Sequence, residues 1–328
     1  MNIEDWFGLR ILQLDADEAL GQEWITHEGP ADIARVRNPA ISARGALRAI
    51  GFTSKPAWIT WVSEVYPHPG DHVERLGASE RWAVRAGQRA VHDNGVAFAV
   101  TAPLTAVGLD SFLEVYTEQV AQMRFGVPFA ALERDNLLAG RDNYCLLAAI
   151  ADGALIGGCL CRWDAVRRCL TIRFTATKMD SRRSRLVRPM YMKAIALAAE
   201  FGADRVSLGT DPSLYGHLAQ PGLFEFKSRF GFVPVPAAVW DPAASEDEAD
   251  LVLFGNQLSQ PTLLVGYEPA GFAPITCDTP LQLARWAQLT IVGDVGDGSV
   301  KPYDAEFLTS LRRLGPVAQR ARALSHGS

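Results

Sequence analysis

TIRFTATKMDSRRSRLVRPMYMKAIALAAEFGADRVSLGT, residues 171 to 210, decides the reading of this chain. Thr171 to Met179 is rich in β-branched and aromatic side chains and has little helical periodicity, which predicts a strand. Lys178, Arg182, Arg183, Arg185 and Arg188 crowd the end of that strand. PMYMKAIALAAEFGA follows, with Pro189 at a favoured first helical position, an alanine-rich body and Gly202 just past the end, and it predicts a helix. Asp204 to Thr210 is short and apolar enough for a buried strand parallel to the first, because a helical crossover joins the two. A helix start leaves backbone N–H groups unpaired at the positive end of its dipole, so the basic turn that feeds it is a candidate pyrophosphate seat.

The next loop, DPSLYGHLAQPG, gathers Asp211, Tyr215 and His217 at the C-terminal end of the second strand, where ligands bind in open α/β sheets. His217 is a candidate base because its unperturbed pKa lies near neutrality, against the ordinary reading of a surface loop histidine. Asp211 is a charged candidate or a plain turn residue ahead of Pro212. Tyr215 is a core aromatic or a proton donor, and Lys227, on the helix that follows, is a surface lysine or a contact to a phosphate or carboxylate.

The composition confines the function. The chain has 328 residues with 32 Lys and Arg against 37 Asp and Glu, a net charge of −5, which argues against a broad nucleic-acid footprint. No apolar run is long enough to span a bilayer, and MNIEDWFGLRILQLDADEAL lacks the basic lead-in of a secretory signal, so no membrane partner and a cytoplasmic location are expected. Four of the five cysteines, Cys145, Cys159, Cys161 and Cys169, cluster near one hairpin. A C-x-C spacing without a second paired motif is weak evidence for zinc, and no metal is expected. His68 and His72 flank Pro69-Gly70, which reads as a loop rather than a helical ligand pair.

Elsewhere, Ser79 to Asn94 reads as a helix with Trp82 on its buried face and Arg81, Arg85 and Arg89 on one stripe. Trp58 and Trp61 suit an acceptor pocket or a core. DPAASEDEAD, Asp241 to Asp250, reads as a solvated loop. DLVLFG and TLLVGYEP read as strands, and AEFLTSLRRLGPVAQRARAL as an amphipathic terminal helix. The fold class is α/β with a mixed sheet.

GLFEFKSRFGFVPVP, Gly222 to Pro236, resembles the last helix and turn of the GNAT superfamily of N-acyltransferases, and more closely the ending of its Fem-like, aminoacyltransferase-related branch. LGASERWAVRAGQRAVHDNG (Leu76 to Gly95), FLEVYTEQVAQMRFGVPF (Phe112 to Phe129) and the strand, Asp-Gly turn and strand of YCLLAAIADGALIGGCLCRW (Tyr144 to Trp163) are similar to the same pattern, so the resemblance spans Leu76 to Pro236. It implies a GNAT fold in two tandem halves, a degenerate one over residues 1–105 and the acyltransferase half over 106–240. Residues 241–328 would form an extension that completes the fold or makes an interface.

The resemblance also implies direct attack of a small-molecule amine on an activated acyl group. A strand-edge N–H near Ala176, Thr177, Lys178 and Met179 would polarise the carbonyl, and Arg182, Arg183, Arg185 and Arg188 would hold donor phosphates. Two departures stand out. Ser181 to Leu186 has no glycine where acetyl-CoA enzymes of the superfamily carry a Gly-rich loop, and Lys227 stands where they tend to place a tyrosine. No tightly bound cofactor is implied. The donor is an acyl-CoA or the phosphopantetheine thioester of an acyl carrier protein; aminoacyl-tRNA and a catalytically silent binding module are the alternatives. The oligomeric state stays open.

Overall fold

The computed structural model describes residues 2–21, 23–26, 31–178, 185–253, 257–293, 303 and 305–315. The architecture is mixed α/β with several mixed sheets. Contacts divide the chain into two interleaved units, one of Met1–Thr60, Thr210–Ser228 and Val233–Ser328, the other of Trp61–Gly209 and Arg229–Phe232.

In the first unit, one sheet runs in the order Asn2–Trp6, Leu9–Leu14, Ile33–Arg37, Asp247–Val252, Thr53–Pro56. Asp247–Val252 pairs antiparallel with both Ile33–Arg37 and Thr53–Pro56. This corrects the solvated-loop reading of Asp241 to Asp250 over its last four residues. Glu248 and Asp250 are buried there because Arg35 and Lys55 meet them, and a paired carboxylate can enter a core that a lone one cannot. A second sheet runs Leu214–Tyr215, Thr262–Gly266, Ala287–Val292, Leu308–Leu314. Leu9, Ile11, Ile33, Leu214, Leu264 and Val292 share one apolar cluster. The expected C-terminal helix is also corrected: Leu308–Leu314 is a strand parallel to Ala287–Val292. Ala287–Val292 is buried throughout, and its backbone groups need partners that a packed helix does not supply. Residues beyond 315 of that segment lie outside the described ones.

A seven-stranded sheet, most of it in the second unit, follows the order Val233–Pro236, Trp58–Glu64, Arg205–Pro212, Cys169–Thr177, Ala154–Asp164, Tyr144–Ala151, Ala97–Thr101. The hairpin turns at Asp152 (φ 51°) and Gly153 (φ 75°), the two consecutive left-handed residues of a tight two-residue turn. Cys145 lies opposite Cys161, and the four hairpin-region cysteines are buried free thiols. Helix Ala106–Val120, capped by Thr105 Oγ1 accepting from Gly108 N–H, places Phe112 and Tyr116 in a cluster with Leu146, Leu160 and Ala176. Helix Val187–Glu200 crosses helix Ala78–Asp93 at Gly87, where an added Cβ would lie 2.9 Å from both Arg185 O and Pro189 Cδ. No helix among the described residues is long and apolar enough to cross a membrane.

Three local expectations change. The helix starts at Val187, so Pro189 is its third residue, still within the first turn where a missing N–H costs little. His72 belongs to helix Pro69–Arg75, because proline opens a helix as readily as it shapes a loop. Trp82 is 58% exposed, not buried: Arg185 stacks over its ring at 5.1 Å, and that contact covers an indole outside the core.

Candidate functional site

The parallel strands diverge. Pairing runs only from Arg205 opposite Cys169 to Ser207 opposite Thr171. Two residues later Gly209 has φ +76°, and its N–H donates to Ser207 Oγ at 3.0 Å, a conformation open to glycine that turns the strand aside. The register of Cys169–Thr177 with Ala154–Asp164 meanwhile continues to Thr177 opposite Gly157. Lys178 N–H donates to Ile156 O on that paired edge at 2.9 Å, so strand alternation aims Thr177 N–H at the other edge. There it donates to Gln119 Oε1 at 2.9 Å. Gln119 is absent from the sequence reading. It is a half-buried amide next to Val120 on an otherwise apolar helix face, and no sequence motif marks it.

Beyond this edge comes the basic turn. Ala176 and Thr177 are buried and Lys178 is exposed, while Met179, Arg182 and Arg183 lie outside the described residues. Arg185 is exposed, with φ 62° and its guanidinium over Trp82. Arg188 pairs with the buried Glu80 through a two-point fork, Nη2 to Oε2 at 3.1 Å and Nε to Oε1. Leu186, at the N-cap of that helix, makes no side-chain capping hydrogen bond. The end of Cys169–Thr177 thus joins an N–H edge to a helix start with Lys178 and Arg185 nearby.

In the first unit the structure gathers three of the four candidate acid–base residues. Lys227 Nζ donates to both Asp211 carboxylate oxygens at 2.8 Å, and Tyr215 OH donates to Asp211 Oδ2 at 2.8 Å. Asp211 comes from the end of strand Arg205–Pro212, Tyr215 from Leu214–Tyr215, and Lys227 from helix Pro221–Arg229, which turns it inward one residue after Phe226. The carboxylate expected to meet Lys227 is therefore the chain's own. Tyr215 also packs edge-on against Phe224 at 5.6 Å. All three side chains are buried, and charge-assisted hydrogen bonds satisfy them. His217 is buried as well, its ring 6.1 Å from that of Trp6.

No family model matches the chain, and no curated protein matches it. Among solved structures it is similar to FemX, at 13% identity over 75% of this chain and 81% of that one, with a TM-score of 0.45. It is also similar to the C-terminal domain of a protein designated a lysylphosphatidylglycerol synthetase from Agrobacterium fabrum, at 12% identity over 75% of this chain and 78% of that one, TM-score 0.40. An aminoglycoside acetyltransferase from an uncultured soil metagenomic sample, in complex with trehalose, is similar at 13% identity over 35% of this chain and 76% of that one, TM-score 0.28. These neighbours carry Fem-like and GNAT-type transferase names.

Proposed function

We propose that this protein is an N-acyltransferase that moves an acyl group from a phosphate-bearing thioester, an acyl-CoA or the phosphopantetheine arm of a carrier protein, to the amine of a small molecule. The observation that supports this most is the departure of Arg205–Pro212 from Cys169–Thr177 after Thr171, on the strand that precedes helix Val187–Glu200 in the chain. An open strand edge suits the amides of an extended thioester arm, and the helix start suits its phosphates. The amine nitrogen attacks the acyl carbon, the C–S bond breaks, and the products are an amide and a thiol. In this reading Thr177 N–H polarises the carbonyl once Gln119 gives way, and Lys178, Arg182, Arg183 and Arg185 hold phosphate oxygens. The attacking amine gives up one proton and the leaving thiolate takes one up, so the transfer balances without net acid or base.

The test is calorimetric titration of the full chain with CoA, a phosphopantetheinylated carrier protein and bulk aminoacyl-tRNA, repeated with Arg185→Ala. That variant is preferred to Arg188→Ala because Arg188 also neutralises buried Glu80. CoA or the carrier is expected to bind, with affinity about tenfold lower in the variant, equivalent to ~1.4 kcal/mol. Binding of charged tRNA alone would replace this reading with aminoacyl transfer. A second reading, the silent binding module, is favoured by the Gln119 side chain on Thr177 N–H. Donor binding without amide formation across a panel of amines, in both wild type and Gln119→Ala, would establish it.

A further inference from the structure

The first unit holds a cavity of about 150 Å³ that the acyl-transfer reading leaves unused. Its floor is charged but self-satisfied. Arg35 donates from Nε and Nη2 to Asp250 at 2.7 and 2.8 Å, and its Nη1 lies 2.7 Å from Glu248 Oε1. Lys55 Nζ lies 3.1 Å from Asp250 Oδ2 and also meets Glu248. Two buried cations and two buried carboxylates cancel. On the rim, Arg37 and Glu4 cancel in the same way at 2.7 Å. Glu246, exposed on the rim, is then the uncancelled charge: among the described residues it has no ion-pair partner.

The walls are aromatic. Trp6 and Trp58 meet edge to face, ring centroids 6.2 Å apart at 76°, and Trp58 is 36% exposed. Phe7 and His217 stand beside Trp6 at 5.7 and 6.1 Å, so its indole is held in place. Leu9, Ile11 and Leu214 supply apolar lining. Indole faces attract cations, an unpaired carboxylate attracts them further, and the apolar lining favours a short hydrocarbon stem. A volume of about 150 Å³ suits a ligand about the size of benzene.

We propose that this cavity binds a primary alkylammonium ion, its stem on the apolar lining and indoles and its ammonium directed to Glu246. The site would bind amines whether or not the protein transfers acyl groups, because every group it uses lies in the first unit and none of them holds the donor.

The experiment is titration of the full chain with n-butylammonium chloride, followed by tryptophan fluorescence and calorimetry. Sodium butyrate and butan-1-ol serve as probes of matched size at constant ionic strength. Butylammonium is expected to saturate with a dissociation constant on the order of 1 mM, in keeping with about five non-hydrogen atoms. Glu246→Gln should weaken it about tenfold and remove its advantage over butan-1-ol; Trp58→Leu should weaken it about tenfold by taking away one ring. Both positions are exposed, and an unchanged circular dichroism spectrum confirms folding of each variant. Butyrate binding as well as butylammonium, an unchanged constant in Glu246→Gln, or no saturation by any probe at about 50 mM would overturn the proposal.

Discussion

Arg35–Asp250 in the first unit and Arg168–Asp204 in the second are nearly the same object in different surroundings. Each is a two-point fork, at 2.7 and 2.8 Å in the first and 2.6 and 3.1 Å in the second. The side chains of the first pair are 11% and 0% exposed, those of the second 57% and 62%. Burial alone would push Asp250 up, but Arg35 and Lys55 outweigh it and hold the carboxyl below its ordinary range. Asp204 is lowered as well, first by the hydrogen bond from Arg168. The shifts share a direction, yet water screens one pair and not the other. Distance alone does not give a charge pair its weight; the pair with no solvent to fall back on is the one the fold depends on.

The strongest way to break that comparison is Asp250→Asn. It leaves Arg35 and Lys55 buried with only Glu248 between them, and the expected loss is about 3–5 kcal/mol in chemical denaturation at pH 7. The pH dependence has a definite sign. A carboxyl whose folded pKa is depressed contributes stability that is present above its unfolded value, about 3.9, and is lost as pH falls through the lower folded value. Wild type should therefore lose stability below about pH 4 more steeply than Asp250→Asn does. A loss under about 1 kcal/mol, or parallel pH curves, would show that the four-charge cluster carries little.

What the sequence made legible, and what it hid, follows the same division between local and distant causes. Strand Cys169–Thr177, the crossover helix and strand Arg205–Pro212 were readable because periodicity, β-branched content and a closing glycine are local signals. Asp211, Tyr215 and Lys227 could be named as chemistry-bearing residues, but not as one hydrogen-bonded cluster, since Lys227 reaches Asp211 across 16 positions. Asp247 to Ala249, ahead of the strand legible in DLVLFG, was hidden because its acids signal solvent until Arg35, 215 positions from Asp250, is placed beside them. Leu308, Leu311 and Leu314 mimic a helical stripe, and only the open edge of Ala287–Val292 makes them a strand. Gln119 carries no motif at all.

Glu80→Gln sharpens the comparison between its extremes. Glu80 is 4% exposed and its partner Arg188 is 32% exposed, so one end of this fork is dry and the other reaches water. A glutamine keeps the shape and one acceptor but leaves Arg188 without its countercharge. The expected loss is about 1–3 kcal/mol, less than for Asp250→Asn because the arginine can rehydrate. A loss equal to the Asp250 variant's would mean that the burial of one partner suffices.

The smallest effect is expected at the other fork. Asp204→Asn removes a carboxylate that lies in water, and its guanidinium partner is solvated before and after. The denaturation midpoint should stay within experimental error of wild type at about 0.15 M salt, because both partners are as well hydrated apart as together. At roughly 0.01 M salt a slight loss becomes visible and disappears again as salt is added, the signature of a screened interaction. Asp250→Asn should show no such recovery, because ions do not enter the buried cluster. Should Asp204→Asn cost as much as Asp250→Asn, and do so at every salt concentration, the fork's geometry rather than its burial would set its strength, and the ranking of all three variants would collapse.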